Sequence, residues 1–157
     1  MPDPTAPDQD IDHVASALVA SLPALHRGLE RQVARDFPHP RLPDGQLALL
    51  FLVEEREGIT VRDAAEALLM KPNNVSALVS QLTDRGLLER RQDAADKRVA
   101  HLYPTATARQ RLAEARGLKE AQLAGALRTL TEGELDALGA ALGALTSLNR
   151  GLHSPLG

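Results

Sequence analysis

Between Lys71 and Asp84, small polar side chains alternate with branched apolar ones in a pattern that suits reading a DNA groove. Val75, Leu78, Val79 and Leu82 recur at helical spacing, so they form one inward face of a helix. The opposite face then carries Asn73, Ala77, Ser80 and Asp84, flanked by Asn74, Ser76 and Gln81. Carboxamides bond the N6 and N7 edge of adenine, and the Ala77 methyl suits the thymine methyl. The helix N-terminus at Lys71 and Pro72 favours a phosphate. Thr60, Lys71, Pro72, Asn73, Asn74, Ser76, Ala77, Ser80 and Gln81 are the candidate DNA contacts, against the bland alternative of a solvated polar face. No Arg lies between Lys71 and Arg85, so the helix lacks the commonest guanine contact and its half-site should lean toward A·T. A second constellation is Asp96-Lys97-Arg98, in which Asp96 orients the Arg98 guanidinium for a narrow minor groove and Lys97 adds charge.

Other chemistries find little support. The absence of cysteine excludes disulfides, thiolate nucleophiles and Cys-based zinc sites. The five histidines never fall at metal-binding spacing, and no phosphate loop, nucleophile elbow or carboxylate pair is evident. We therefore expect no enzyme activity, no metal and no cofactor. The acidic, Pro-rich start lacks the features of a signal peptide and no long apolar run occurs, which predicts a soluble cytoplasmic protein without a membrane partner. The net charge of −3 argues against nucleic acid, but its distribution does not. From Arg62 to Arg111 nine Lys/Arg face six Asp/Glu, leaving a basic middle in an acidic scaffold.

The elements that must position these residues are mainly helical. Aromatics are only 2% while Leu and Ala dominate, which favours helices over sheets. After an expected disordered tail over residues 1–10, apolar residues from Ile11 to Val33 predict one long amphipathic helix, kinked or divided at Pro23. Leu47 to Val53 predicts a central helix buried all round. Thr60 and Asp63 form a capping box opening a short helix, a tight turn follows near Met70, and Gly86 closes the next helix. Segments 88–92 and 99–103 predict a hairpin around Asp93 to Arg98. Further helices should run from Thr105 to Leu130 and, from the capping box of Thr131 and Glu134, to the chain's end. The last carries Leu135, Leu138, Leu142, Leu145, Leu148 and Leu152 as a stripe. Such a strip would be exposed in a small monomer and predicts a homodimer, with Leu18 and Leu127 joining the contact.

A helix pair followed by a hairpin, with Asp96-x-Arg98 and Thr105 at the signature spacing, resembles the MarR family of transcriptional regulators. The resemblance runs from about Ile59 through Thr105. It implies a winged helix-turn-helix with a small β-hairpin wing, a DNA-binding lobe over 43–104 and dimerisation helices over 11–42 and 105–157. It further implies double-stranded DNA as partner, a pseudo-palindromic operator, repression, and a small-molecule effector bound between the dimer helices and the lobe. The effector's residues are not identifiable from the sequence. Three positions depart from the family pattern: Leu69 stands for a turn glycine, Pro104 for the signature leucine, and Ala108 where glycine often follows. The competing reading is a winged helix that binds another protein rather than DNA.

Overall fold

The computed structural model describes residues 6–153. Its elements are α1 (Ala6–Asp36), α2 (Asp44–Glu55), β1 (Ile59–Thr60), α3 (Val61–Ala67), α4 (Pro72–Asp84), β2 (Leu88–Gln92), β3 (Ala100–Pro104), α5 (Ala106–Leu127) and α6 (Glu132–His153). The three strands form one antiparallel sheet in the order β1-β3-β2. Mainly helical with a hairpin wing, this is the winged-helix architecture expected.

Several boundaries differ from expectation for identifiable reasons. The first five residues of the predicted tail lie outside the described residues, while α1 already runs from Ala6. That helix continues as one element through Pro23 instead of dividing there. A missing N–H removes one bond of the ladder, and the turns on either side keep theirs. Helix α2 is not buried all round: Gln46, Leu49, Leu50 and Val53 are, but Phe51 is 39% exposed. The strand β1 was not foreseen, since two residues carry no alternation signal; Ile59 pairs with Leu102 and Thr60 with His101. Strand β3 starts at Ala100 because Val99 is used to close the wing turn, its N–H donating to the Asp96 carbonyl at 3.0 Å.

The core lies where α2, α3 and α4 meet the sheet and the start of α5. Leu49, Val53, Ala64, Val75, Val79, Leu82 and Leu102 are fully enclosed. Each larger aliphatic side chain so buried contributes about 1.5–3 kcal/mol against exposure. Pro104 is also fully buried, pairing in register with Leu88. Ala108 is fully buried too, and its N–H donates to the Thr105 hydroxyl at 3.1 Å. The same hydroxyl donates to the Gly86 carbonyl at 2.7 Å, which fastens the start of α5 to the end of α4.

The turns on either side of α4 share one geometry. After α4, Leu87 N–H bonds the Leu82 carbonyl and Gly86 N–H the Thr83 carbonyl, with Gly86 at φ +69°. After α3, Met70 N–H bonds the Ala65 carbonyl and Leu69 N–H the Glu66 carbonyl, with Leu69 at φ +53°. Both are Schellman closures, in which an αL residue allows the last carbonyls to be capped. Leu69 thus adopts the turn despite its Cβ, and its side chain is 95% exposed.

Candidate nucleic-acid interface

Helix α4 is held by its apolar face. Val75, Val79 and Leu82 are fully buried, Leu78 is half-buried, and Asn73, Asn74, Ser76, Ala77 and Ser80 are exposed opposite them. At its start Lys71 makes no side-chain cap bond and Pro72 occupies the first turn. The positive end of the helix is therefore open to an anion. Thr60 is half-buried, its hydroxyl accepting from Asp63 N–H at 3.1 Å to cap α3.

Two of the predicted readers are partly engaged. The Gln81 Oε1 accepts from the buried Gln46 Nε2 at 2.9 Å. Bidentate recognition of adenine needs both amide atoms, so with this bond in place Asn73 and Asn74 are the free carboxamides. The Ser80 hydroxyl donates to the Ser76 carbonyl at 3.1 Å and accepts from Arg90 Nη2 at 3.0 Å. Arg90 is a residue sequence reasoning missed. It comes from β2, yet its guanidinium lies on the exposed side of α4 beside Ser76 and Ser80, with further N–H donors to spare. Strand spacing alone gives no hint of it, because the contact joins residues ten and fourteen positions apart across a turn.

At the wing, Asp96 Oδ1 accepts from Arg98 backbone N–H at 3.0 Å and from its Nε at 3.2 Å. The Arg98 side chain is otherwise 91% exposed. Lys97 is exposed beside it. The base of the wing holds a second group the sequence did not single out. Asp93 bonds His101 at 2.9 Å, which together with the backbone N–H groups of Asp96 and Ala95 lowers its carboxyl to about 2, and the Asp93 bond raises the His101 pKa above its ordinary value.

The residues assigned to dimer contact lie away from this surface. Leu18 and Leu127 are half-buried, and Leu135, Leu138, Leu142, Leu145 and Leu148 are 41–62% exposed. Between α1, α2 and α5 lies a cavity of about 250 Å³, mostly apolar, with Phe37, Leu47 and Phe51 in its wall and Arg111 and Lys119 at its side. Arg111 Nε is buried there without a hydrogen-bond partner. Among the described residues no helix is long and apolar enough to cross a membrane, and no three metal-ligating side chains cluster.

The profile of the MarR family matches residues 42–99. No curated protein matches the chain. Solved structures do. A protein of Pseudomonas aeruginosa PA01 is 28% identical, with 93% of this chain and 98% of that one covered at a TM-score of 0.73. A MarR family protein from Bacillus stearothermophilus is 15% identical, with coverage of 90% and 96% and a TM-score of 0.71. FabT of Streptococcus pneumoniae, solved in complex with DNA, is 17% identical, with coverage of 92% and 98% and a TM-score of 0.60. The profile match spans α2 through the wing tip, the likeness of fold to these solved structures extends over the flanking helices, and the Asp96–Arg98 pair stands at the wing: over residues 42–99 the chain matches the MarR family.

Proposed function

We propose that the protein is a transcriptional repressor that binds a pseudo-palindromic operator as a homodimer and releases it when a small molecule binds. The observation that carries this reading is the exposed face of α4, polar and free of charge repulsion at its open N-terminal end, set beside a wing whose arginine is held by a carboxylate. The DNA-binding lobe is the segment 43–104, and the segments 11–42 and 105–157 pair the subunits. The contacts are Lys71, Pro72, Asn73, Asn74, Ser76, Ala77 and Ser80 in the major groove, with Arg90 beside them, and Lys97 and Arg98 at the wing. Thr60 and Gln81 serve chiefly to hold α3 and α4 in place. FabT, seen with DNA, supports the partner class.

The effector belongs in the cavity between α1, α2 and α5, whose walls come from both the pairing helices and the lobe. Such a position lets a ligand alter the angle between them. The setting of this action is the cytoplasm, where the operator lies.

Selection of genomic fragments by the purified protein tests the reading. Enrichment of a two-fold symmetric site is expected, with affinity falling linearly in log[salt] as several phosphate contacts demand. A protein-interaction module would enrich no site and would bind its partner with little salt dependence.

A further inference from the structure

We propose that His101, as an imidazolium, is the positioning residue that ties the wing to the body of the domain, so that presentation of Arg98 is coupled to one proton on this ring. Its Nδ1 lies 2.7 Å from the Gly58 carbonyl oxygen and its Nε2 lies 2.9 Å from Asp93 Oδ2. Both neighbours only accept, and a neutral imidazole has a single N–H, so the ring satisfies both contacts only when doubly protonated.

The two anchors belong to different parts of the molecule. Gly58 precedes β1 at φ +86°, and its N–H donates to the Leu102 carbonyl at 2.8 Å, so its own carbonyl is fixed. An added Cβ there would lie 3.1 Å from the Tyr103 hydroxyl, which leaves the backbone little room to turn. Asp93 begins the wing loop. Its Oδ1 accepts from the N–H groups of Ala95 and Asp96 at 2.8 and 3.0 Å, and Asp96 in turn holds Arg98. A continuous series of hydrogen bonds therefore runs from Gly58 through His101, Asp93 and Asp96 to the Arg98 guanidinium.

The surroundings leave Asp93 as the charge that acts on the ring. Across the strand pair Arg91 stands opposite His101, but its guanidinium lies 4.3 Å from the Tyr103 ring centre and pairs with Glu89. On β1 the facing residue is the uncharged Thr60. Next to Gly58, Glu57 is paired with Arg109 of α5, and on α2 Glu54 is paired with Arg116. The charged residues of α3, Arg62, Asp63 and Glu66, are exposed, as is Glu55 of α2. The carboxylate and the Gly58 carbonyl both favour the protonated ring, so the connection is complete at low pH and is lost as pH rises through the raised pKa.

The consequence for DNA rests on the function proposed above; the coupling within the wing does not, and the test separates them. In the full chain, side-chain nitrogen NMR of His101 is followed with pH, together with the backbone signals of Ala95, Asp96 and Arg98. The ring is expected to titrate above 6.5, the wing signals to shift with the same midpoint, and Asp93→Asn to return the ring to its ordinary range. A ring titrating at or below that range, or wing signals indifferent to it, overturns the proposal. On the selected DNA site at constant ionic strength, wild-type affinity should fall as pH passes the same midpoint, with a slope approaching one proton per subunit, tenfold per pH unit at most for each. His101→Gln should bind with a flat profile in that window, and a profile equal to wild type also overturns the proposal. If the ring and wing titrate together but no DNA is bound at any pH, the wing coupling stands and the DNA function falls.

Discussion

At the wing, Asp96 and Arg98 form a pair in which a carboxylate orients a guanidinium. Asp96 takes the Arg98 Nε and backbone N–H, so the side chain is held near one orientation while its remaining donors face solvent. Arg98→Ala should cost roughly 1–3 kcal/mol of DNA affinity and reduce the salt slope by about one per subunit. Asp96→Ala should weaken binding as well. A rule of net charge predicts the reverse, because removing an acid near DNA would then tighten binding. Titrations in which Asp96→Ala gains affinity would show that the guanidinium needs no orientation. Arg90 bears on base preference. The helix itself offers no arginine, but β2 lays one beside Ser76 and Ser80, and a guanine contact from this position is testable. Arg90→Ala should lower affinity by roughly 1–3 kcal/mol and relax any G·C position in the selected site. Sites containing only A·T contacts and indifferent to Arg90→Ala would leave it as a surface residue.

Among the elements, the turn between α3 and α4 stands out for its strain. Its closing residue, Leu69, sits at φ +53° with its side chain 95% exposed, so it is held in the left-handed region without packing in return. A left-handed non-glycine residue costs roughly 1–2 kcal/mol, part of which glycine gives back through the greater freedom of its unfolded chain. Leu69→Gly should therefore stabilise the fold by up to about 1 kcal/mol, read as a higher urea midpoint. Gly86→Ala, at φ +69° with open space around its Cα, isolates the same backbone effect in the opposite direction and should lower the midpoint by a similar amount. An unchanged midpoint in both variants would mean that the αL geometry carries no strain here. The start of α6 is built to a different rule. Thr131 N–H and hydroxyl both donate to Glu134, which holds that carboxyl below its usual range, while Glu134 N–H donates back to the Thr131 hydroxyl.

At the scale of the whole molecule, one chain exposes 11559 Å² where a compact monomer of this length would expose about 7,600 Å². Apolar side chains stand open on α1 and α6, where Val14, Val19, Leu22, Leu142 and Leu152 are each more than half exposed. No residue of α6 is buried. In the proposed homodimer, pairing through these helices would remove that surface from water and set two copies of α4 at a fixed spacing. Replacing Leu142 and Leu145 with Glu should yield folded monomers by light scattering, because the core around α2 to α4 does not use either residue. Their DNA affinity should fall by orders of magnitude, since the second half-site no longer meets a tethered partner. A wild-type chain that is monomeric at micromolar concentration would refute the assembly.

Much of this was legible in the chain itself. The spacing of Val75, Val79 and Leu82 determined both the buried and the presented faces of α4, since a helix has one period and water sorts its faces. The capping residues Thr60 and Thr131 and the glycine after α4 marked where elements begin or end, because those signals act within a few residues. What the sequence could not reveal depends on residues distant along the chain. The two-residue strand β1 exists only because β3 offers it partners. The Gln81 carboxamide is partly engaged because Gln46, 35 positions earlier, meets it across the α2–α4 contact. His101 acquires a second acceptor only when Gly58, 43 positions away, is laid alongside it. Local periodicity and capping chemistry thus determined the elements and their faces, whereas the three-dimensional packing decided which polar groups remain unengaged, because a hydrogen bond between distant residues depends on how the elements are brought together.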